Sequence, residues 1–214
     1  MRIKKTAATC VLLSVLAVVS GTGCSRALQP TGAENRYKKF TGTAYTSAGE
    51  RFSLIVDTQA SRIAERQEFL PLMVAFLNKS DERIDVFRES FVLETSDKTR
   101  IPAVAYREFA KEYPRHRVDL RVGIHFAEAI NGRYPSPPFT KRALEFYPLN
   151  ESGTVPRDDI SLRQGEMAVG FIYFRLPDQE TLDAMGNCRL LFTPGGEDTQ
   201  YVLELQSYKA KKKN

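Results

Sequence analysis

Two histidines, three cysteines and a scatter of carboxylates are the side chains that could make or break bonds in this 214-residue chain. His116 and His125 are the whole imidazole supply, which excludes a His-rich zinc site, and no recognised ligand spacing joins His125 to carboxylates. A Ser-His-Asp hydrolase needs a strained nucleophile turn, and Gly-x-Ser-x-Gly does not occur. Gly195-Gly196 lacks the Gly-Lys-Ser/Thr that completes a phosphate loop. Cys188 stands in Gly-Asn-Cys-Arg-Leu-Leu-Phe, a strand-like setting that favours a small buried hydrophobe over a thiolate nucleophile. Asp158-Asp159 and Glu197-Asp198 have the residue type for paired-carboxylate glycoside chemistry. Both pairs fall in turns, where adjacent acids are usually solvated, and no EF-hand spacing surrounds them. This inventory calls for no cofactor and no metal, and it yields no catalytic residue.

Cys24 implies chemistry of another kind. Arg2, Lys4 and Lys5 make a positive start, Ala7 to Ser20 is an apolar run, and Gly21-Thr22-Gly23 precede Cys24. The run is about 14 residues, shorter than the ~20 that span a bilayer as a permanent helix, so the segment reads as a signal peptide. Small residues followed directly by cysteine resemble the lipobox of bacterial lipoproteins, although Gly21 stands where that family usually carries Leu. The resemblance implies cleavage after residue 23 and acylation of Cys24 by diacylglyceryl and palmitate-type chains, which together anchor stably. By resemblance to Gram-negative lipoproteins, Ser25 rather than Asp after the cysteine permits sorting to the outer membrane, facing the periplasm, if the organism has one. The expected location is the cell envelope, with the membrane as a partner through the lipid anchor.

Charge narrows the partners further. The whole chain carries +5, but losing Arg2, Lys4 and Lys5 takes this to about +2. Setting aside Lys209, Lys211, Lys212 and Lys213 leaves the body near −2. That is no nucleic-acid-binding pattern, and the basic tail at 209–214 reads as a solvated end, with contact to anionic lipid or cell-wall polymer as the alternative.

Residues 25–35 contain Pro and Gly without periodicity and read as a tether. Beyond them the pattern is β. Phe52, Leu54 and Val56 alternate with their neighbours; Phe69 to Phe76 is a dense apolar run ending in Asn78-Lys79-Ser80-Asp81. Pro71 removes a ladder donor and belongs near a strand start or on an edge. Ile84, Val86, Phe91 and Leu93 mark further strands. Ala103 to Tyr113, between Pro102 and Pro114, predicts a short helix. Val118, Leu120, Val122, Ile124 and Phe126 alternate strictly and predict a strand with one wet face. Asn131 to Lys141 is a Pro-rich loop, Met167 to Phe174 the strongest core strand, and Asp178 to Met185 a single helical turn. Cys188–Phe192 and Tyr201–Leu205 predict a β-hairpin. Seven to nine short strands without an internal repeat suggest a β-sandwich. The absence of Trp and of a cysteine pair sets it apart from antibody domains.

Leu72-Met-Val-Ala-Phe-Leu-Asn78-Lys-Ser-Asp81, Ile84-Asp-Val86 and Ser90-Phe-Val-Leu93 resemble a recurring segment of bacterial extracellular immunoglobulin-like domains of unknown function. Phe146-Tyr147-Pro148 and Gly170-Phe-Ile-Tyr-Phe174 are similar to the second half of such lipoprotein domains. The implied fold is mainly β, an immunoglobulin-like β-sandwich with one or two short helices, spanning residues 36–208. Tyr134, Phe139, Tyr147 and Tyr173, in or near the Pro-rich loop, would form a recognition rim or cap the core. Arg133, Tyr134 and Phe139 are the candidate binding residues. The expected function is a non-enzymatic lipoprotein that binds another envelope protein. The alternative is an envelope hydrolase or carbohydrate-processing module using dispersed carboxylates.

Overall fold

The computed structural model describes residues 36–39, 43–63, 68–113, 115–148, 154–176, 185–196 and 198–205. The segments expected as a signal peptide and a tether, Cys24, the expected tail at 209–214, Glu197 and most of the turn expected at Asp178 to Met185 lie outside them.

The described elements run β1 (Arg36–Lys39), β2 (Ala44–Ala48), β3 (Phe52–Asp57), α1 (Gln59–Ile63), β4 (Phe69–Asn78) and β5 (Ile84–Phe87). After a 3-10 turn at Arg88–Ser90 come β6 (Phe91–Glu94), β7 (Arg100–Pro102), α2 (Tyr106–Glu112), α3 (His116–Val122) and α4 (Ile124–Arg133). The chain ends through β8 (Thr140–Ala143), β9 (Asp159–Leu162), β10 (Glu166–Arg175), β11 (Cys188–Phe192) and β12 (Tyr201–Leu205). The architecture is mainly β, as the alternating patterns predict. One sheet has the order β1-β2-β3-β4-β10-β8 and another β12-β11-β6-β7, with a ribbon of β5 and β9. The expected hairpin forms, with Cys188 opposite Leu205 and Phe192 opposite Tyr201.

Strands β4 and β10 hold the centre. All ten positions of β4 are buried, which requires cover on both faces of the sheet. On one face, Phe52 and Phe76 meet Phe192 of the smaller sheet at 5.8 and 5.2 Å between ring centres, and Phe91 stacks on Phe192 at 4.6 Å. These rings close the space between the sheets to a gap of about 10 Å³, lined mainly by apolar side chains. Each fully buried Phe contributes roughly 1.5–3 kcal/mol of burial free energy. On the other face the helices cover Phe69, Met73, Phe171 and Tyr173. Phe69 lies 6.1 Å from Phe109 of α2, and Gly123, between α3 and α4, sits against Met73 and Phe171.

Pro71 is the third residue of β4, and β3 joins β4 only from Met73 onward, so its missing N–H leaves no β3 carbonyl unmet. Its own carbonyl accepts the hydroxyl of Ser61 from α1. The polar cluster after β4 is a clamp. Asn78 Nδ2 donates to Glu82 O at 2.7 Å and to Leu162 O of β9 at 2.9 Å, while its Oδ1 accepts from Ser80 N at 2.9 Å. Gly170 is required by a close approach: a Cβ there would stand 2.6 Å from Leu144 Cβ and 2.9 Å from Leu144 O.

Three expectations are corrected. The described residues hold twelve strands rather than seven to nine, and four α-helices rather than one or two, because a sheet apolar on both faces needs a helical layer as well as a facing sheet. The alternating segment from Val118 to Phe126 is not a strand but α3 and the start of α4. Its buried positions are His116, Asp119, Gly123, Phe126 and Ile130, spaced three and four apart as one helix face demands. Of the five alternating apolar residues only Phe126 is buried. Tertiary packing decides the element here against β-branched propensity.

Candidate functional site

The most unusual chemistry lies under the helices. Tyr173, at the C-terminal half of β10, is fully buried and donates its hydroxyl to Asp119 Oδ2 of α3 at 3.2 Å. The Tyr113 hydroxyl, just past α2, hydrogen-bonds the same carboxyl group. Rings of Phe109, Tyr113, His116, Tyr147 and Phe171 surround Tyr173 at centre distances of 4.2 to 5.8 Å. Tyr147 donates to Val104 O at 2.6 Å, which fixes the segment before α2.

Burial dominates the electrostatics. It pushes the Asp119 carboxyl up to about 6, against the pull of the Tyr113 and Tyr173 hydroxyls and then of the Arg115 charge. It pushes the His116 imidazole down to about 4. The Tyr113, Tyr147 and Tyr173 phenols are all raised, chiefly by burial, and stay protonated. Perturbed groups of this kind mark functional sites when they face a cleft. Here Asp119 is 2% exposed and its oxygens take tyrosine hydroxyls, so the cluster acts as a polar rivet between helix and sheet.

Sequence reasoning missed this cluster. Its signal is thin: His116 and Asp119, three apart, read as an inward stripe only once α3 is assigned, and Tyr113 joins them from the end of the preceding helix. Tyr147 and Tyr173, expected as rim aromatics or core caps, are core residues at 5% and 0% exposure.

The candidate binding residues cluster at the end of α4, in a loop shorter than expected because α4 takes Asn131 to Arg133 and β8 takes Thr140 and Lys141. Arg133 is exposed at the last position of that helix. Tyr134 and Phe139 are half-buried, pack edge to face at 5.3 Å, and lean on the core. Between them run Pro135 and the cis peptides Ser136–Pro137 and Pro137–Pro138. The loop then enters β8, which pairs in parallel with β10.

The other candidates are scattered. Asp158 accepts from Arg88 Nε at 2.6 Å, and Asp159 begins β9. His125 is exposed, with Nδ1 3.4 Å from Glu128 on the same helix. Among the described residues no group of three or more His, Cys, Asp or Glu could hold a metal ion. Cys188 is buried beside Leu205 O, and burial pushes its thiol up to about 12, which leaves little thiolate.

No protein-family model matches this chain, and no curated protein matches it. Among solved structures, the crystal structure of the yjhA protein from Bacillus subtilis is similar to it with a TM-score of 0.40 and 11% identity, over 75% of this chain and 96% of that one. A likeness of that strength carries neither fold nor function across.

Proposed function

We propose that this protein is a bacterial envelope lipoprotein, anchored through acylated Cys24, whose immunoglobulin-like β-sandwich binds another envelope protein and catalyses no reaction. The observation that carries the binding reading is the platform after α4. Arg133 is presented to solvent while Tyr134 and Phe139 hold the loop by sinking half their rings into the core. Recognition loops on rigid scaffolds have this form. The sandwich reading is supported by four antiparallel strands, β2, β3, β4 and β10, facing β12, β11, β6 and β7 across a phenylalanine layer. The helical layer and the parallel β8 are additions to an immunoglobulin-like plan. The anchor is supported by the n-region, the apolar run and the small residues before Cys24.

Two measurements test this. Cells fed labelled palmitate should label the parent protein and leave the Cys24→Ser variant unlabelled; an unlabelled parent refutes the anchor. A photo-crosslinking residue at Arg133 should capture one discrete envelope protein, and the same residue at Asp81 in the β4–β5 turn should not. Equal capture at both positions, or none at Arg133, removes the binding surface.

A further inference from the structure

We infer that the outer face of α3 and the first turn of α4 rests on an anionic membrane surface. The inference builds on the anchored reading above, which would hold this face near lipid. Val118, Leu120 and Ile124 are 39%, 37% and 51% exposed, although they lie within one short stretch of helix. Ile63 of α1, the helix that contacts α3, adds another at 49%. Single exposed apolar residues are ordinary. Several on adjoining helices whose inner stripe already fills the core are a surface for something else.

Charge selects the occupant. Arg117 and Arg121 are exposed among these apolar side chains, and Arg115 is half-buried beside them. Asp119 is the one acid in the stretch from Arg115 to Ala127, and it is turned inward onto Tyr173. The outer surface of that stretch therefore carries arginines, apolar residues and His125, and the exposed Glu128 at its edge lies 3.4 Å from His125 Nδ1. Guanidinium groups pair with phosphate oxygens in the headgroup layer while short aliphatic side chains reach the acyl boundary, so a helix of this composition lies in the plane of an anionic interface. The inward turn of Asp119 thus does two things: it rivets the helix, and it removes the negative charge that would repel lipid phosphate.

The test uses the full chain as purified from cells, with Ile124→Cys or Asp81→Cys carrying an environment-sensitive fluorophore. The buried Cys188 stays unlabelled, and the parent without an added cysteine reports any labelling at Cys24. With vesicles containing phosphatidylglycerol, the Ile124 probe should shift to the blue and brighten roughly twofold. The Asp81 probe should not change. Pure phosphatidylcholine vesicles, high salt, or Arg117→Gln with Arg121→Gln should abolish the shift. A probe at Ile124 that stays aqueous beside phosphatidylglycerol vesicles overturns the inference. So does a probe already shielded before lipid is added, which would assign the face to a protein or a second copy. Flotation with phosphatidylcholine vesicles reports the lipid anchor separately, so failure of the anchor and failure of this face are read on different signals.

Discussion

The hydroxyl of Tyr173 donates to the carboxylate of Asp119 at 3.2 Å, tying the central strand β10 to α3. The helical layer is fastened to the sheet at this point by a polar contact inside a ring of aromatics. Tyr173→Phe keeps the rings and removes one donor from a buried carboxylate, and should cost about 1–3 kcal/mol in urea unfolding. Tyr173→Ala also opens a cavity and should cost about 3–5 kcal/mol. Equal losses for the two variants would show that the hydroxyl, not the ring, carries the stability.

Asp119 and His116 oppose each other in pH dependence. The carboxyl is raised from 3.8 to about 6, so its favourable contribution is complete below pH 3.8 and is lost as pH rises through 6. The imidazole is lowered from 6.5 to about 4, so its contribution is complete above pH 6.5 and is lost as pH falls through 4. The two slopes offset each other between about pH 4 and 6, each on the order of 3 kcal/mol. Relative to the parent, His116→Asn should lose stability on going from pH 4 to 6, and Asp119→Asn should gain it. Urea midpoints at four pH values decide; parallel curves for both variants would refute the opposition.

Gly123 lets the junction of α3 and α4 sit on the sheet. A Cβ there would stand 2.5 Å from Met73 Sδ and 3.1 Å from the Phe171 ring. Its φ of −68° suits any residue, and Ala is the better helix former. Overpacking should win, with Gly123→Ala costing about 1–2 kcal/mol. Adding Met73→Ala should return part of that loss as a coupling energy in a double-mutant cycle. Strict additivity would mean the contact does not limit the junction.

Asn78 donates to two backbone carbonyls and is 1% exposed. Asn78→Ala strands both carbonyls and should cost about 2–3 kcal/mol. Asn78→Asp should be worse at pH 7, where a carboxylate would face those carbonyls, and should recover as acid protonates it. Thermal unfolding at pH 4 and 7 measures this; no recovery at pH 4 would show that the amide's donors are not what matters.

Much of the sheet was legible because its strands announce themselves locally. The run from Phe69 to Asn78, the one from Met167 to Phe174 and the hairpin of β11 and β12 need no distant information to be read. Asn78 also stood out in sequence as a strand end, although its bond to Leu162, 84 residues on, did not. The helices were harder. From Val118 to Phe126 the apolar residues alternate, but the face that packs is His116, Asp119, Gly123 and Phe126, two polar residues and a glycine that carry no hydrophobic signal. Arg133, Tyr134 and Phe139 were legible as a group because they bracket prolines. The Tyr173–Asp119 rivet was not, since its partners come from elements whose neighbourhood only the fold creates.

The register of β4 against β10 places Phe69 beside Arg175 and Leu77 beside Met167, roughly a hundred residues apart along the chain. Everything from the Asn78 clamp through the helices and β9 is thus an excursion enclosed by one strand pair. A chain emerging from its N-terminus carries β4, buried at every position in the fold, with no partner on its β10 side until the last quarter of the polypeptide arrives. Pairing of β4 with β10 therefore closes an enclosed stretch of about 90 residues, and non-local closures of this length are slow to form.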